Sequence, residues 1–418
     1  MNVIVFNFIA YAMWFCLAYK KENRLTVYSF ILLMYTGMAL CSVLILNNGI
    51  YEEDFGNVKI NELDSLPYLL CFISYCILFY PLRKIDVIDM EKYDMWGEKS
   101  SKCVKIVLFT YLILSGIRFM ELQQGLETGL AEVYLMRHAE GVVVFEHSYP
   151  VAMFISFMTT IEVIATPSLI LYAVVGNRKK KLTTFYSVFI ITVCFLPNII
   201  SSIAKGSRGS IFMCVICILF FIIIFYRQMS LNLKYALYQV MAGIIALGIL
   251  YAWLISVARA EGTDKDPLIG IYRYFGEPFL NLGHLFWGHV KAHPYGERLF
   301  DRITNPFPSD WTRHDIYMYW WSYTGVPNFN FKTIYGDFYI EFGWWEAIVI
   351  IVAIGMSFNY IFSHLKMTLA TLPIFYFYLQ ICIFSFAGFT KHDMGFIYQL
   401  LFIFLYIKIL PRIVSKRY

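Results

Sequence analysis

Residues 25–47 read LTVYSFILLMYTGMALCSVLILN and contain no charged side chain. An α-helix rises about 1.5 Å per residue, so about 20 consecutive apolar residues cross the hydrocarbon core of a bilayer. This stretch therefore predicts a transmembrane helix. The 418-residue chain shares its character, with 59% hydrophobic residues, 15% charged residues and a mean hydropathy of +0.60. Such a composition excludes a soluble globular protein and predicts an all-α polytopic integral membrane protein.

Similar apolar runs recur along the chain and predict about eleven transmembrane helices. The first run is interpreted as a retained span because no basic residue precedes it and no small-residue cleavage site follows. The predicted spans are near residues 3–19, 25–47, 65–82, 103–123, 151–175, 183–203, 210–226, 235–257, 337–363, 368–388 and 396–411.

The basic residues between spans predict the orientation, because short cytoplasmic loops carry an excess of Lys and Arg. Clusters such as Lys20, Lys21 and Arg24, or Arg178 to Lys181, alternate with acidic or mixed loops. This places the N-terminus outside and the C-terminus in the cytoplasm. Residues 1–418 then form one integral membrane domain, with a smaller outer loop at 124–150 and a large outer loop at 258–336.

The large loop is predicted to contain structure of its own. Its first part, Leu268 to Val290, alternates aromatic anchors with charged residues and predicts an amphipathic helix in the membrane interface. Proline residues follow, and Trp311 to Tyr323 is predicted to be an irregular aromatic segment. His289, His293 and Glu297 have the spacing of metal ligands on a helix, but Pro294 breaks that helix. We predict neither a metal nor another cofactor, and no nucleic-acid partner.

The sharpest short motif is Lys205-Gly206-Ser207-Arg208-Gly209, set between two spans with almost no loop. Two glycines permit close approach of a ligand to the backbone, and the start of the next helix offers amide donors beside two cations. The motif suits a diphosphate whose lipid tail stays in the bilayer. It is equally consistent with a tight turn whose cations contact lipid headgroups.

Further candidates lie in the large loop. Arg259 and Arg273 flank the start of the interfacial helix and are predicted to face the same headgroup, whereas the other outer arginines are expected to pair with nearby acids. His314 beside Asp315, and His392 beside Asp393, are candidates for proton transfer or are exposed loop histidines.

Aromatic and acidic residues complete the candidate set. The aromatic residues could stack on sugar rings or belong to a membrane-interface belt; they are Trp311, Trp320, Trp321 and Tyr323. Asp337 and Glu341 are four residues apart and share one face of a helix. Asp337 is a candidate N-cap, whereas Glu341 lies a turn deeper and requires either a partner or a function.

The sequence resembles the Wzy-type O-antigen, or oligosaccharide repeat-unit, polymerases. The resemblance rests on the Lys205 to Gly209 motif, the large outer loop, and Tyr335-Gly-Asp-Phe-Tyr-Ile-Glu341-Phe-Gly343 before an apolar helix. It implies a GT-C-like glycosyltransferase of the bacterial inner membrane, active in lipopolysaccharide or capsule synthesis. Such enzymes transfer a growing glycan from undecaprenyl diphosphate to an incoming lipid-linked repeat unit at the periplasmic face. A chain-length regulator and a flippase of the same pathway are the implied partners.

The resemblance also implies roles for particular residues. Arg208 would contact the diphosphate, for which Lys205, Arg259 and Arg273 are the further candidates from their positions, and Glu341 matches the Glu-x-Gly of related O-antigen ligases. Those ligases carry His-Asn shortly before the Glu, where this chain has Lys332-Thr333, so the resemblance does not identify the base.

The expected reaction is a metal-independent inverting attack by a sugar hydroxyl, with Glu341, His314 or Asp337 taking the proton. Alternatives are an O-antigen ligase or another lipid-linked-sugar glycosyltransferase, a lipid-linked oligosaccharide flippase, and a membrane O-acyltransferase.

Overall fold

The computed structural model describes residues 2–51, 63–85, 98–136, 145–260, 269–301, 307–308, 311–327, 331–365, 367–388 and 394–413. Over these ranges the chain is predominantly helical and contains no β-strand. The helices are α1 (Val3–Glu22), α2 (Val27–Asn47), α3 (Leu66–Phe79), α4 (Glu98–Thr128), α5 (Leu130–Leu135), α6 (Tyr149–Arg178), α7 (Thr184–Ala204), α8 (Arg208–Phe225), α9 (Leu231–Ala260), α10 (Ile269–Asn281), α11 (Arg313–Thr324), α12 (Ile334–Phe342), α13 (Trp344–His364), α14 (Leu372–Phe384) and α15 (Met394–Ile413).

Eight of the described helices are long and apolar enough to cross a membrane, judged by length and composition. They are α1, α2, α3 with its 3-10 extension to Lys84, α4, α6, α7, α9 and α13. Shorter apolar helices occupy Cys214–Phe225, Leu372–Phe384 and Gly395–Leu410, where three further spans were expected. The all-helical polytopic architecture is thus confirmed, while the count of eleven spans and the GT-C-like arrangement stay predictions.

The expected single helix over 337–363 is wrong at its beginning. Helix α12 already starts at Ile334, and Gly343 separates it from α13 with a φ of 101°. This backbone conformation suits glycine, and a Cβ at this position would lie 2.9 Å from Glu346 Oε2. The interruption makes α12 a separate, almost completely buried helix.

The expected irregular aromatic segment is also wrong, because residues 313–324 form helix α11. Thr312 Oγ1 accepts the Asp315 N–H and the Asp315 carboxylate accepts the Thr312 N–H, which is a capping box. Gly325 then ends the helix in the left-handed conformation. The capping box starts a helix at this point, although the preceding prolines had predicted an irregular segment.

The predicted interfacial helix is formed by α10 followed by one π-helical turn, Leu282–Phe286. One side of α10 packs closely on α2, where Ser42 Oγ donates to the Gly276 carbonyl at 2.8 Å. A Cβ on Gly276 would lie 2.7 Å from the Cys41 and Ser42 backbone. The apolar side of α10 is therefore covered by a neighbouring helix, and its position in a membrane interface stays a prediction.

The chain divides into two compact units. Unit 1 contains Met1–Asp86, Gly262–His364 and Tyr378–Met394, and unit 2 contains Val87–Glu261, Leu365–Phe377 and Gly395–Tyr418. The prediction of one integral membrane domain with outer loops at 124–150 and 258–336 is not tested by this division. Helices α4 and α5 extend into the first of these loops.

The core of unit 1 is aromatic and fixes the start of α12. Tyr35 and Tyr75 are fully buried with ring centroids 4.7 Å apart. The Tyr35 hydroxyl pairs with Ser385 Oγ at 2.5 Å, and the Tyr75 hydroxyl donates to the Ser385 carbonyl at 2.9 Å. The same carbonyl accepts the Ile334 N–H at 2.6 Å. Hydrogen bonds thus connect the aromatic core directly to the first residue of α12.

The core of unit 2 brings α4 against the end of α7. A Cβ on Gly125 would lie 2.7 Å from the Ala204 carbonyl oxygen, so only a glycine permits this approach. Ala204 is the last residue of α7 and directly precedes the Lys205 turn. The C-terminal part of α4 therefore lies beside that turn.

Candidate functional site

Four ionisable residues form a buried cluster in unit 1. Arg298 donates to Asp337 Oδ1 at 2.7 Å and to the Asp337 carbonyl at 3.1 Å. Arg298 Nε lies 2.9 Å from Glu341 Oε2, and Lys332 Nζ lies 3.5 Å from Asp337 Oδ1. All four side chains are buried. Two positive and two negative charges thus compensate one another where water has little access.

Helix α12 presents the two acids of this cluster. Thr333 is its N-cap and accepts the Gly336 N–H, so Asp337 lies in the first turn rather than at the cap. Asp337 and Glu341 lie on one face, as their spacing predicted. Glu341, which required a partner or a function, has found a partner in Arg298.

Glu341 is also enclosed by backbone donors. Its Oε1 accepts the Gly296 N–H at 2.7 Å and the Leu299 N–H at 3.4 Å, and its carbonyl accepts the Tyr295 N–H at 2.9 Å. Gly296 and Tyr295 both have positive φ, which turns the chain around the carboxylate. The turn at 295–299 is therefore attached to α12 by Glu341.

The cluster shifts the pKa of three of its members. Burial raises the pKa of Glu341, although the Arg298 charge opposes the shift. Burial lowers the pKa of Lys332 to about 8, against the attraction of Asp337. Burial would lower the pKa of Arg298, but the two carboxylates outweigh it and raise that pKa. Arg298 is the permanent charge around which the cluster is organised.

Arg298 was not recognised as a member of this site from sequence. We expected the outer arginines to pair with acids nearby in sequence, and Glu297 and Asp301 flank Arg298. Its actual partner Asp337 is 39 residues away. Lys332, one residue before the N-cap of α12, was noted only as a departure from the ligases.

The second candidate site is the Lys205 turn in unit 2. Gly206 has a φ of 60°, its N–H reaches the Ile203 carbonyl at 2.9 Å, and the Ser207 N–H reaches the Ser202 carbonyl at 2.9 Å. These bonds end α7 in a left-handed glycine cap. Helix α8 begins at Arg208, directly after the turn. The expected arrangement of a tight glycine turn before a helix start is present, while the position of the Arg208 side chain lies outside the described residues.

A third group of ionisable residues adjoins this turn. Arg118 Nη1 and His147 Nε2 lie 2.6 and 2.8 Å from the same oxygen, Glu121 Oε1. Glu121 is 2% exposed, and its Oε2 is buried without a hydrogen-bond partner among the described residues. Glu121 precedes Gly125 by one turn of α4, on the face that approaches Ala204. The group therefore lies close to the Lys205 turn, within unit 2.

Arg273 and Arg259 are the remaining residues predicted to bind the diphosphate. Arg273 is half-buried and forms a charge-assisted hydrogen bond with Glu277, one turn along α10. Arg259 lies in the last turn of α9, and its side chain lies outside the described residues. Their predicted shared headgroup stays a prediction.

His314 is exposed in the first turn of α11, and Asp315 is engaged by Thr312. Hydrogen bonds from the Thr312 hydroxyl and N–H lower the pKa of Asp315, so this acid acts as a helix cap. His392 and Asp393 lie outside the described residues.

The predicted glycan-binding aromatics differ in their exposure. Trp320 is buried at 1% exposure, whereas Trp311, Trp321 and Tyr323 are exposed. The Trp311 ring stacks on Phe307 with centroids 5.2 Å apart. Of these four predicted residues, the three exposed rings offer a surface to a ligand, whereas the buried Trp320 packs edge-on against Phe307 and Tyr323.

An apolar cavity of about 400 Å³ occupies another part of unit 2. Its walls include Val107 near the start of α4, Leu169 of α6 and Leu405 of α15. Val107 and Gly125 are separated by about 27 Å along α4, at about 1.5 Å per residue. The cavity is therefore remote from the Lys205 turn. Among the described residues, no group of three or more His, Cys, Asp or Glu side chains could hold a metal ion.

Comparison with protein-family models, with curated proteins and with solved structures found no match to this chain.

Proposed function

We propose that this protein is a membrane glycosyltransferase that polymerises oligosaccharide repeat units carried on a polyprenyl diphosphate, as Wzy-type O-antigen polymerases do. The observation that carries the proposal is the Lys205 turn. Helix α8 starts directly after a glycine cap, so its first amide groups and the positive end of its dipole lie beside Lys205 and Arg208 in the chain. A diphosphate is a ligand that suits this combination of donors and cations.

The proposed reaction needs little more than charge stabilisation and a base. A sugar hydroxyl attacks the anomeric carbon of the donor, and the bond from that carbon to the diphosphate oxygen breaks. The cations of the turn stabilise the departing diphosphate. In this proposal the bacterial inner membrane is the location, and the turn faces the periplasm.

A defined substrate tests the proposal. Purified full-length protein in lipid nanodiscs is incubated with one polyprenyl-diphosphate oligosaccharide, and the products are separated by size. A ladder of longer glycans is the expected result. Glycan transfer to another lipid without a ladder would instead indicate a ligase.

The Lys205 turn is tested by Arg208→Ala, with Arg227→Ala as its matched control. Arg227 is an exposed cation just beyond the opposite end of α8. We expect Arg208→Ala to leave a folded protein that makes only single repeat units, and Arg227→Ala to retain the ladder. Equal ladders from both variants would refute the diphosphate site.

One observation favours a flippase as the second candidate. Glu162 lies within the span of α6, where Asn198 of α7 donates to its Oε1 at 2.6 Å. An ionisable residue within a membrane span is typical of transport pathways. Leaflet exchange of the lipid-linked oligosaccharide in vesicles, without formation of new glycosidic bonds, would support this candidate over the polymerase.

A further inference from the structure

The base of the proposed reaction has no clear position in the cluster of unit 1. Glu341 Oε1 accepts two backbone N–H groups, and its Oε2 lies 2.9 Å from Arg298 Nε. Asp337 Oδ1 is held by Arg298 and approached by Lys332. A carboxylate with these partners would have to break ion pairs before it could accept a proton, so neither acid is placed to act as the base.

His147 and Glu121 in unit 2 have the arrangement of a base and the group that orients it. His147 Nε2 lies 2.8 Å from Glu121 Oε1, and His147 retains 21% side-chain exposure. A carboxylate at this distance fixes the imidazole proton on Nε2, so Nδ1 becomes the proton acceptor. Carboxylate, histidine and substrate hydroxyl follow the same order in many acyl-transfer enzymes.

The environment of Glu121 supports this assignment. The carboxylate is buried, its Oε1 is shared by two donors, and its Oε2 has no hydrogen-bond partner among the described residues. A buried polar atom in this state requires an explanation, and a catalytic role is one of those that occur in proteins. The negative charge of the buried Glu121 carboxylate stabilises the imidazolium that forms when His147 takes a proton.

The position of the Glu121–His147 pair relative to the Lys205 turn also supports this assignment. Gly125, one turn after Glu121, packs on the Ala204 carbonyl directly before the Lys205 turn. A helix turn advances about 5.4 Å, so Glu121 lies about one turn along α4 from the residue that contacts the end of α7. Both belong to unit 2.

From these contacts we infer that His147 is the catalytic base of the glycosyl transfer and that Glu121 is its positioning residue. This inference rests on the proposed function. His147 Nδ1 takes the proton of the acceptor sugar hydroxyl, whose oxygen forms the new bond to the donor anomeric carbon. The bond from that carbon to the diphosphate breaks, and the diphosphate leaves with the electron pair. His147 then releases its proton to water.

The first test uses His147→Gln in nanodiscs with the defined lipid-diphosphate oligosaccharide. The glutamine amide can still donate to Glu121 but cannot accept a proton, so a structural role would survive. We expect kcat to fall by about 100-fold or more, with KM changed by less than about threefold. His364→Gln, at an exposed histidine of unit 1, is the control and should match the wild type.

The second test is chemical rescue. His147→Ala should regain at least about tenfold in kcat on addition of imidazole, which replaces the missing base. Glu121→Gln should lower kcat and leave KM nearly unchanged, and Glu146→Gln, at an exposed acid beside His147, should do neither.

Failures of the two proposals are distinguishable. A wild-type protein that forms no new glycosidic bond refutes the proposed function and this inference with it. A wild-type ladder together with undiminished kcat in His147→Gln refutes this inference alone. A ladder, a slow His147→Ala and no response to imidazole would assign His147 a structural role.

Discussion

Two buried glutamates, Glu341 in unit 1 and Glu121 in unit 2, meet the same physical problem in different ways. Glu341 accepts two backbone N–H groups and faces Arg298, within a cluster of balanced charge. Arg118 and His147 both contact Glu121 Oε1, whereas Glu121 Oε2 has no hydrogen-bond partner among the described residues. The contacts of Glu341 thus hold the turn at 295–299 on α12, whereas those of Glu121 hold the histidine that we infer to be the base.

The largest effect is expected from Arg298→Ala. Removal of this cation leaves Asp337 and Glu341 buried, with Lys332 as the remaining cation of the described cluster, and breaking a buried pair typically costs about 3–5 kcal/mol. We expect a large loss of folded protein, measured by thermal unfolding of the detergent-solubilised protein. Arg178→Ala removes an exposed arginine and should change little.

The reason for that loss can itself be tested. The triple variant Arg298→Met, Asp337→Asn, Glu341→Gln removes Arg298 together with the two carboxylates that it compensates and should recover part of the stability. If Arg298→Ala unfolds at the wild-type temperature, the cluster does not hold the turn at 295–299, and the contrast between the two glutamates disappears.

The next effect concerns the contact between α4 and α7. Gly125→Ala places a methyl group 2.7 Å from the Ala204 carbonyl oxygen and should force the helices apart, at a cost of about 1–3 kcal/mol. Glycosyl transfer should fall with it, because Glu121 moves relative to the Lys205 turn. Gly116→Ala on the same helix meets no atom within 4 Å and is the matched control. Similar activity in both variants would separate Glu121 from the turn.

A direct comparison of Glu341→Gln with Glu121→Gln should give opposite rankings in two assays. Glu341→Gln removes a charge that Arg298 requires and should lower stability by about 1–3 kcal/mol. In Glu121→Gln the amide oxygen can keep the contacts with Arg118 and His147, and the amide nitrogen takes the place of the oxygen that has no described partner, so the stability should change by less than about 1 kcal/mol. Thermal unfolding should show the larger loss for Glu341→Gln, and kcat should show the larger loss for Glu121→Gln. The same order in both assays would contradict the assigned roles.

The smallest effect is a pH dependence carried by Lys332. Its pKa is lowered to about 8 in the folded protein from an ordinary value of 10.5. Between these values the unfolded state binds more protons than the folded state, so the Lys332 contribution to stability rises with pH. The free energy of unfolding of the wild type should therefore increase relative to that of Lys332→Met as the pH rises from about 8 to 10. Parallel unfolding curves over this range would show that the ammonium is not buried.

Much of the fold follows from the sequence because membrane spans are long, apolar and bounded by charges. Helix α12 illustrates the limit. Its sequence continues into the apolar run of α13, and only the positive φ of Gly343 separates them. Hydropathy averages over such a position and cannot detect a backbone conformation.

The sequence predicted the local parts of the candidate sites but not the long-range pairs within them. The spacing of Asp337 and Glu341, and the glycine turn at Lys205, are local and were visible in the sequence. The partners Arg298 and His147 are not local, since 39 residues separate Arg298 from Asp337 and 26 separate His147 from Glu121. Sequence spacing carries no information about such long-range pairs.

The ionic cluster has a consequence for how this chain can change. Arg298 and Lys332 both contact Asp337 Oδ1, so the two ends of the segment between them lie close together. A segment whose two ends meet can be exchanged or lengthened without displacing its support. It contains the exposed rings of Trp311, Trp321 and Tyr323. The aromatic segment could therefore differ in sequence or length while the ion pairs at its two ends are kept.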